Sequence, residues 1–151
     1  MRLIKFIPAI FLVSLAACST LILQPADFAW PVESVLNVDD NGNVKEDRHS
    51  LMFNTKELFL EETGDSLGYS DKEIRVIRDG KGFYYITGRN FKNVYVFTND
   101  EGKLCLDNKI VISEEAVMEN PAFNQRPPYV ELVDGHNKHL LSNEGIKSEE
   151  E

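Results

Sequence analysis

Between residues 73 and 113, short β-branched and aromatic runs alternate with clusters of turn residues, and this spacing constrains the fold more than any other feature of the chain. Residues 73–78 run into Asp79-Gly80-Lys81-Gly82, residues 83–87 into Gly88-Arg89-Asn90, and residues 93–97 into Asn99-Asp100-Glu101-Gly102. Residues 103–106 and 109–113 then flank Asp107-Asn108. Runs this short do not sustain helices in water. Turn signals recurring every ~8–12 residues instead give consecutive antiparallel hairpins, so a meander is expected. Alternation supplies the faces: Val94 and Val96 share one, Tyr95 and Phe97 the other. With both faces apolar, that strand belongs inside a sheet covered on both sides.

The flanking sequence extends the same pattern. Residues 34–38 and the segment from Val44 flank Asp39-Asp40-Asn41-Gly42-Asn43, which reads as a hairpin loop. Residues 48–53 and 57–61 are further strand candidates, with a break at Glu62-Thr63-Gly64-Asp65-Ser66. Pro127-Pro128 implies an extended approach to a strand over 129–133, and Asp134-Gly135-His136-Asn137 turns the chain into a strand over 138–141. Good helix formers gather only in Glu114-Glu115-Ala116-Val117-Met118-Glu119, where Ser113 can cap and Asn120-Pro121 terminates. With 42% hydrophobic and 27% charged residues the chain has enough apolar material for one core. The expected fold is all-β, a small antiparallel sandwich or curled meander sheet with at most one short helix near 114–119. The β domain is expected over 27–141, and the polar tail 142–151, which ends in three glutamates, is expected to be disordered.

The amino terminus follows a different logic. Met1-Arg2-Leu3-Ile4-Lys5 is basic, residues 6–13 are apolar, and Ser14-Leu15-Ala16-Ala17-Cys18 follows. A basic segment before an apolar run of this length is the pattern of an export signal. Leu15-Ala16-Ala17-Cys18 resembles the lipobox of bacterial lipoproteins: a branched apolar residue, two small residues, then cysteine. That resemblance implies a diacylglycerol thioether on Cys18, cleavage of the 1–17 signal peptide before it, and acylation of the new amino group. Two or more acyl chains give stable membrane anchorage where one is marginal. Ser19 stands where an inner-membrane lipoprotein of the enterobacterial type carries aspartate, which implies the outer membrane if the host has two. Residues 18–26 form a short membrane-proximal segment without a Gly/Ser-rich tether. Lipidation at Cys18 leaves Cys105 without a disulfide partner, and its neighbours Leu104 and Leu106 lead one to expect it buried in a strand.

Residues 73–107 also resemble one blade of an NHL-type β-propeller, through Gly82-Phe83-Tyr84-Tyr85-Ile86-Thr87, Asn93-Val94-Tyr95-Val96-Phe97 and the turn Glu101-Gly102-Lys103. A chain of 151 residues has no room for a closed ring of such blades. The turn glycines keep no fixed period either, so the similarity reads as local convergence.

Charge and motifs exclude several functions. A net charge of -9 and a pI near 4.8 argue against nucleic acid, whose phosphates need cations. Removal of residues 1–17 takes Arg2 and Lys5 with it and leaves the chain more acidic still. Asp39, Asn41 and Asn43 begin a calcium-loop pattern, but Val44 and Ser50 occupy its sixth and twelfth positions, so a turn is expected. His136 and His139 would face opposite sides of a strand, no nucleophile elbow occurs, and neither a metal nor a cofactor is expected. The pairs Glu61-Glu62 and Glu114-Glu115 read as solvated surface, and Arg75, Arg78 and Arg89 as the solvent ends of strands.

The expectation is a non-enzymatic interaction or assembly module of the envelope, held at the membrane by its lipid anchor and able to take a protein partner at a β edge. The alternative is a ligand-binding domain, for example for a glycan, that presents Trp30, Tyr84 and Tyr95 with Arg89. An enzyme of unknown type is the third choice.

Overall fold

The computed structural model describes residues 33–65, 67–69 and 72–148. Strand β1 (Ser34–Asn37) is followed by the hairpin β2 (Asn43–Glu46) and β3 (Leu51–Asn54), then helix α1 (Lys56–Thr63). The meander follows as β4 (Glu73–Arg78), β5 (Tyr84–Gly88), β6 (Asn93–Asp100) and β7 (Lys103–Val111). The carboxy-terminal part is β8 (Pro121–Arg126), β9 (Tyr129–Asp134), β10 (Asn137–Ser142) and β11 (Gly145–Lys147). All ladders are antiparallel and form a five-stranded sheet in the order β1-β4-β5-β6-β7, a four-stranded sheet β11-β10-β9-β8, and the two-stranded β2-β3.

The five-stranded sheet is the middle layer. Register puts Val76, Tyr84, Ile86 and Tyr95 on one face, and Ile77, Tyr85 and Val96 on the other; all are buried. The first face is covered by the β2-β3 hairpin and α1. His49 meets Tyr84 edge-on at 5.6 Å, Phe59 of α1 meets Phe91 at 5.3 Å, and Tyr95 Oη donates to Glu62 of α1. The second face is covered by the four-stranded sheet, with β8 lying against β4 and β11 against β7. Glu33 joins these two layers, because one carboxylate oxygen pairs with Arg75 at 2.9 Å and the other accepts the Phe123 N–H at 2.8 Å. The all-β expectation therefore holds as a meander sheet inside a layered sandwich, and its middle strand β5 is buried at every position.

Several expectations are corrected. The helix is not at 114–119 but at Lys56–Thr63, across the run expected as a strand. The Asn54 side chain accepts the Lys56 N–H at 3.0 Å, Glu57 favours the positive helix start, and Gly64 ends the helix at φ 74 with its N–H on the Leu60 carbonyl. Leu58 and Phe59 are the residues it buries. At 113–118, Ser113 Oγ does accept the Glu115 and Ala116 N–H groups, yet no helix follows. Met118 instead exchanges backbone hydrogen bonds with Asn90 and Phe91, and so few residues cannot nucleate a helix against that tertiary pairing.

Val44 does not continue a hairpin from β1, which pairs with β4, whereas β2 pairs with β3. Residues 103–106 and 109–113, expected as two runs, are joined in one strand that ends at Val111, with a register shift opposite Val96/Phe97. Pro127-Pro128 is the tight turn between β8 and β9, and β8 itself was not anticipated because its polar second half hides it. It is an edge strand that starts on proline, where no ladder donor is needed. The tail expected as disordered from 142 continues as β10 to Ser142 and as β11, paired Leu140↔Lys147 and Leu141↔Ile146. The lipobox, Cys18, Trp30 and the segment 18–26 lie outside the described residues, and the β domain is described from 33 rather than 27.

Candidate functional site

The aromatic platform expected from Tyr84 and Tyr95 does not form, because both side chains are core. Tyr84 is 3% exposed and lies between the His49 ring and the Arg78 guanidinium, 5.4 Å from the ring centroid. Tyr95 is 4% exposed and packs on Phe91. Burial first, and then the Glu62 carboxylate, push its hydroxyl above the usual phenol range. The same causes act on Tyr85, where burial comes first and Asp79 next.

Of the expected ligand-binding residues, Arg89 alone faces open space among the described residues. It lines two adjoining hollows of about 130 and 490 Å³ that share Glu73 as well; Arg75 and Glu119 border the smaller one and Lys72 the larger. Both arginines here are engaged by the chain itself. Arg89 Nε donates to the Glu119 carbonyl at 2.8 Å and its terminal nitrogen to Asn120 Oδ1 at 3.0 Å, while Arg75 is paired with Glu33. Arg89 thus fastens the turn after β5 to the segment before β8.

The acidic residues do comparable work. Glu46 is 2% exposed and accepts from Ser34 Oγ at 2.9 Å, from the His49 N–H at 2.6 Å and from the His49 ring at 2.9 Å. Burial pushes that carboxyl up, but the His49 and Ser34 hydrogen bonds outweigh it and leave it below the usual range. Glu62 accepts from the Lys92 N–H, Asn93 Nδ2 and Tyr95 Oη at 2.6, 2.7 and 2.8 Å. Asp79 closes its turn by accepting the Lys81 and Phe83 N–H groups, both at 2.9 Å, and also accepts from Tyr85 Oη at 3.1 Å. Asp39 holds the Asn41 and Asn43 N–H groups at 2.8 Å, which closes the turn expected there. Asp134 accepts the Glu119 and Asn120 N–H groups. Carboxylates held by such donors act as anchors within and between the layers.

Glu62, expected as solvated surface, is instead a half-buried acceptor that seats α1 on the sheet. Its partners lie about thirty residues away, and no local pattern signals them. Asp79, by contrast, begins a visible Asp-Gly turn.

Cys105, expected to be buried, is exposed. It sits on the turn-proximal half of β7, next to Leu106, which is 57% exposed. Val35 on β1, at the opposite edge of the sheet, is also exposed. Among the described residues no helix is long and apolar enough to cross a membrane. No protein-family model, curated protein or solved structure matches the chain.

Proposed function

We propose that the chain is a lipid-anchored protein of the bacterial cell envelope whose β domain is a non-enzymatic interaction or assembly module. The observation that carries this is Leu15-Ala16-Ala17-Cys18 at the end of an apolar run that follows Arg2 and Lys5. With the anchor at Cys18 and the domain starting soon after, the β layers sit close to the bilayer, on the outer membrane where the host has one. Ser19 supports that choice of membrane.

The chemistry of the domain favours contact over catalysis. Its buried carboxylates are spent on holding the chain together, Tyr84, Tyr85 and Tyr95 are core, and what it offers outward includes strand edges with exposed Val35, Cys105 and Leu106. The test is metabolic labelling with a fatty-acid analogue in a bacterial host. Label is expected in the wild type and absent from Cys18→Ala, which should accumulate at the size of the unprocessed chain. Equal labelling of both would overturn the proposal.

A further inference from the structure

We propose that the outer half of β7 is a self-complementary edge that pairs antiparallel with β7 of a second copy, centred on Cys105. Lys103-Leu104-Cys105-Leu106-Asp107 lies on the open side of the five-stranded sheet, and Lys103, Cys105, Leu106 and Asp107 are all exposed. β11 lies against β7, and the turn before it is tied on at Asn108, beyond this stretch, by a 2.9 Å bond to the Asn143 carbonyl.

The backbone decides which groups face outward. Glu101 and Gly102, at φ 47 and 81, form a two-residue turn that makes Asp100↔Lys103 the closing hydrogen-bonded pair. Alternation then directs the Cys105 N–H and C=O inward at Thr98, whose Oγ1 donates to the Cys105 carbonyl at 3.4 Å. The N–H and C=O groups of Leu104 and Leu106 therefore point away from β6, unused by the ladder.

A two-fold axis through Cys105 satisfies every element of this edge at once. Leu104 falls opposite Leu106 of the second copy as a hydrogen-bonded pair, twice, and brings half-buried Leu104 against exposed Leu106 across the seam. Lys103 falls opposite Asp107 of the second copy, again twice, so both charges on the edge meet their opposite. Cys105 falls opposite its own copy as a non-hydrogen-bonded pair, whose Cα separation of about 4.5 Å lies within disulfide range. A heterologous strand would have to reproduce this charge order, whereas a second copy supplies it by symmetry. The proposal names the partner for the assembly role above and rests on that role only for its setting, since the edge chemistry is independent of the anchor.

The test uses the full-length chain with Cys18→Ser in detergent, which leaves Cys105 as the one thiol of a two-cysteine sequence. Oxidised glutathione is the oxidant: two Cys105 thiols lose their hydrogens and form one S–S bond, and the glutathione disulfide is cleaved to two glutathione thiols. A disulfide-linked dimer is expected as the main product on a non-reducing gel. Asp107→Lys should lower the dimer-forming rate about tenfold through two like-charge pairs, and K103D/D107K should restore it. A chain that yields only the monomeric glutathione adduct, or an Asp107→Lys chain that dimerises as fast as the parent, overturns the proposal. Because the parent result decides by itself, a charge-swapped chain that fails to fold does not protect the proposal. Loss of lipid labelling with dimerisation intact would sink the anchor alone, and labelling without dimerisation would sink the edge alone.

Discussion

Replacing Glu62 with alanine asks how firmly one carboxylate seats α1 on the sheet. Its oxygens accept from the Lys92 N–H, Asn93 Nδ2 and Tyr95 Oη, and no other carboxylate serves three donors on a different layer in this way among the described hydrogen bonds. Hydrogen bonds to a charged acceptor contribute ~1.5–3 kcal/mol, and a donor left unpaired in the interior costs about as much. Tyr95 is buried, so its hydroxyl bears that cost in full, whereas Lys92 and Asn93 are half-buried and regain part of theirs from water. Taking about 1.5 kcal/mol for the first and about 1 for each of the others gives a loss of about 3–4 kcal/mol. At about 4 °C per kcal/mol for a domain of this size, Tm falls by about 12–16 °C. Thermal circular dichroism at pH 7 reads this directly. Glu62→Gln keeps one acceptor and should lose about half as much. Glu61→Ala is the control, since the Glu61 and Lys109 side chains pair at 2.8 Å but are 53% and 41% exposed, and it should shift Tm by ~2 °C or less. In the Glu62→Ala background, Tyr95→Phe should cost nothing further, because the hydroxyl it removes is already orphaned. If Glu62→Ala costs no more than Glu61→Ala, the carboxylate does not seat the helix.

Two further outcomes test the layers on either side. Because Glu46 sits below its ordinary value of 4.5 when folded, its contribution is present above that value and drains away as pH falls through the folded value. The Tm gap between wild type and Glu46→Gln, measured from pH 7 to pH 3, should therefore narrow below about pH 4.5; a gap independent of pH would refute this. Ending the chain after Ser142 removes β11, with its pairs to Leu140, Leu141 and Ser142, and the Asn143 acceptor of Asn108. That should lower Tm by about 8 °C, from about 2 kcal/mol of lost ladder. Ending it after Ser148 should change nothing measurable, and equal melting of the two chains would show that β11 does not hold the sheet.

The meander was legible because its information is local. Asp79-Gly80, Asn90 and Glu101-Gly102 each reverse the chain, and the runs between them carry their own β preference, so β4 to β7 stand close to where turn chemistry put them. Residues 57–61 misled for the complementary reason. Five residues with an apolar centre fit a strand or a helix equally well, and the deciding groups, the Asn54 side chain and Gly64, lie outside the run. The candidate site was the least legible part, since aromatic type does not say whether a ring is core or platform. Tyr84 and Tyr95 became core once α1 and the β2-β3 hairpin closed over their face, and Cys105 became surface because β7 is an edge strand and nothing among the described residues covers its side chain.

By itself the sequence determined the antiparallel β architecture, the turns that bound its central strands, and the acidic balance, because each follows from neighbours in the chain. Tertiary structure alone decided which strand lies at an edge, which carboxylates became anchors, and that Lys103, Cys105 and Asp107 face outward together. Those are properties of what comes to lie against a residue from tens of positions away, and no local pattern of residue types carries that information.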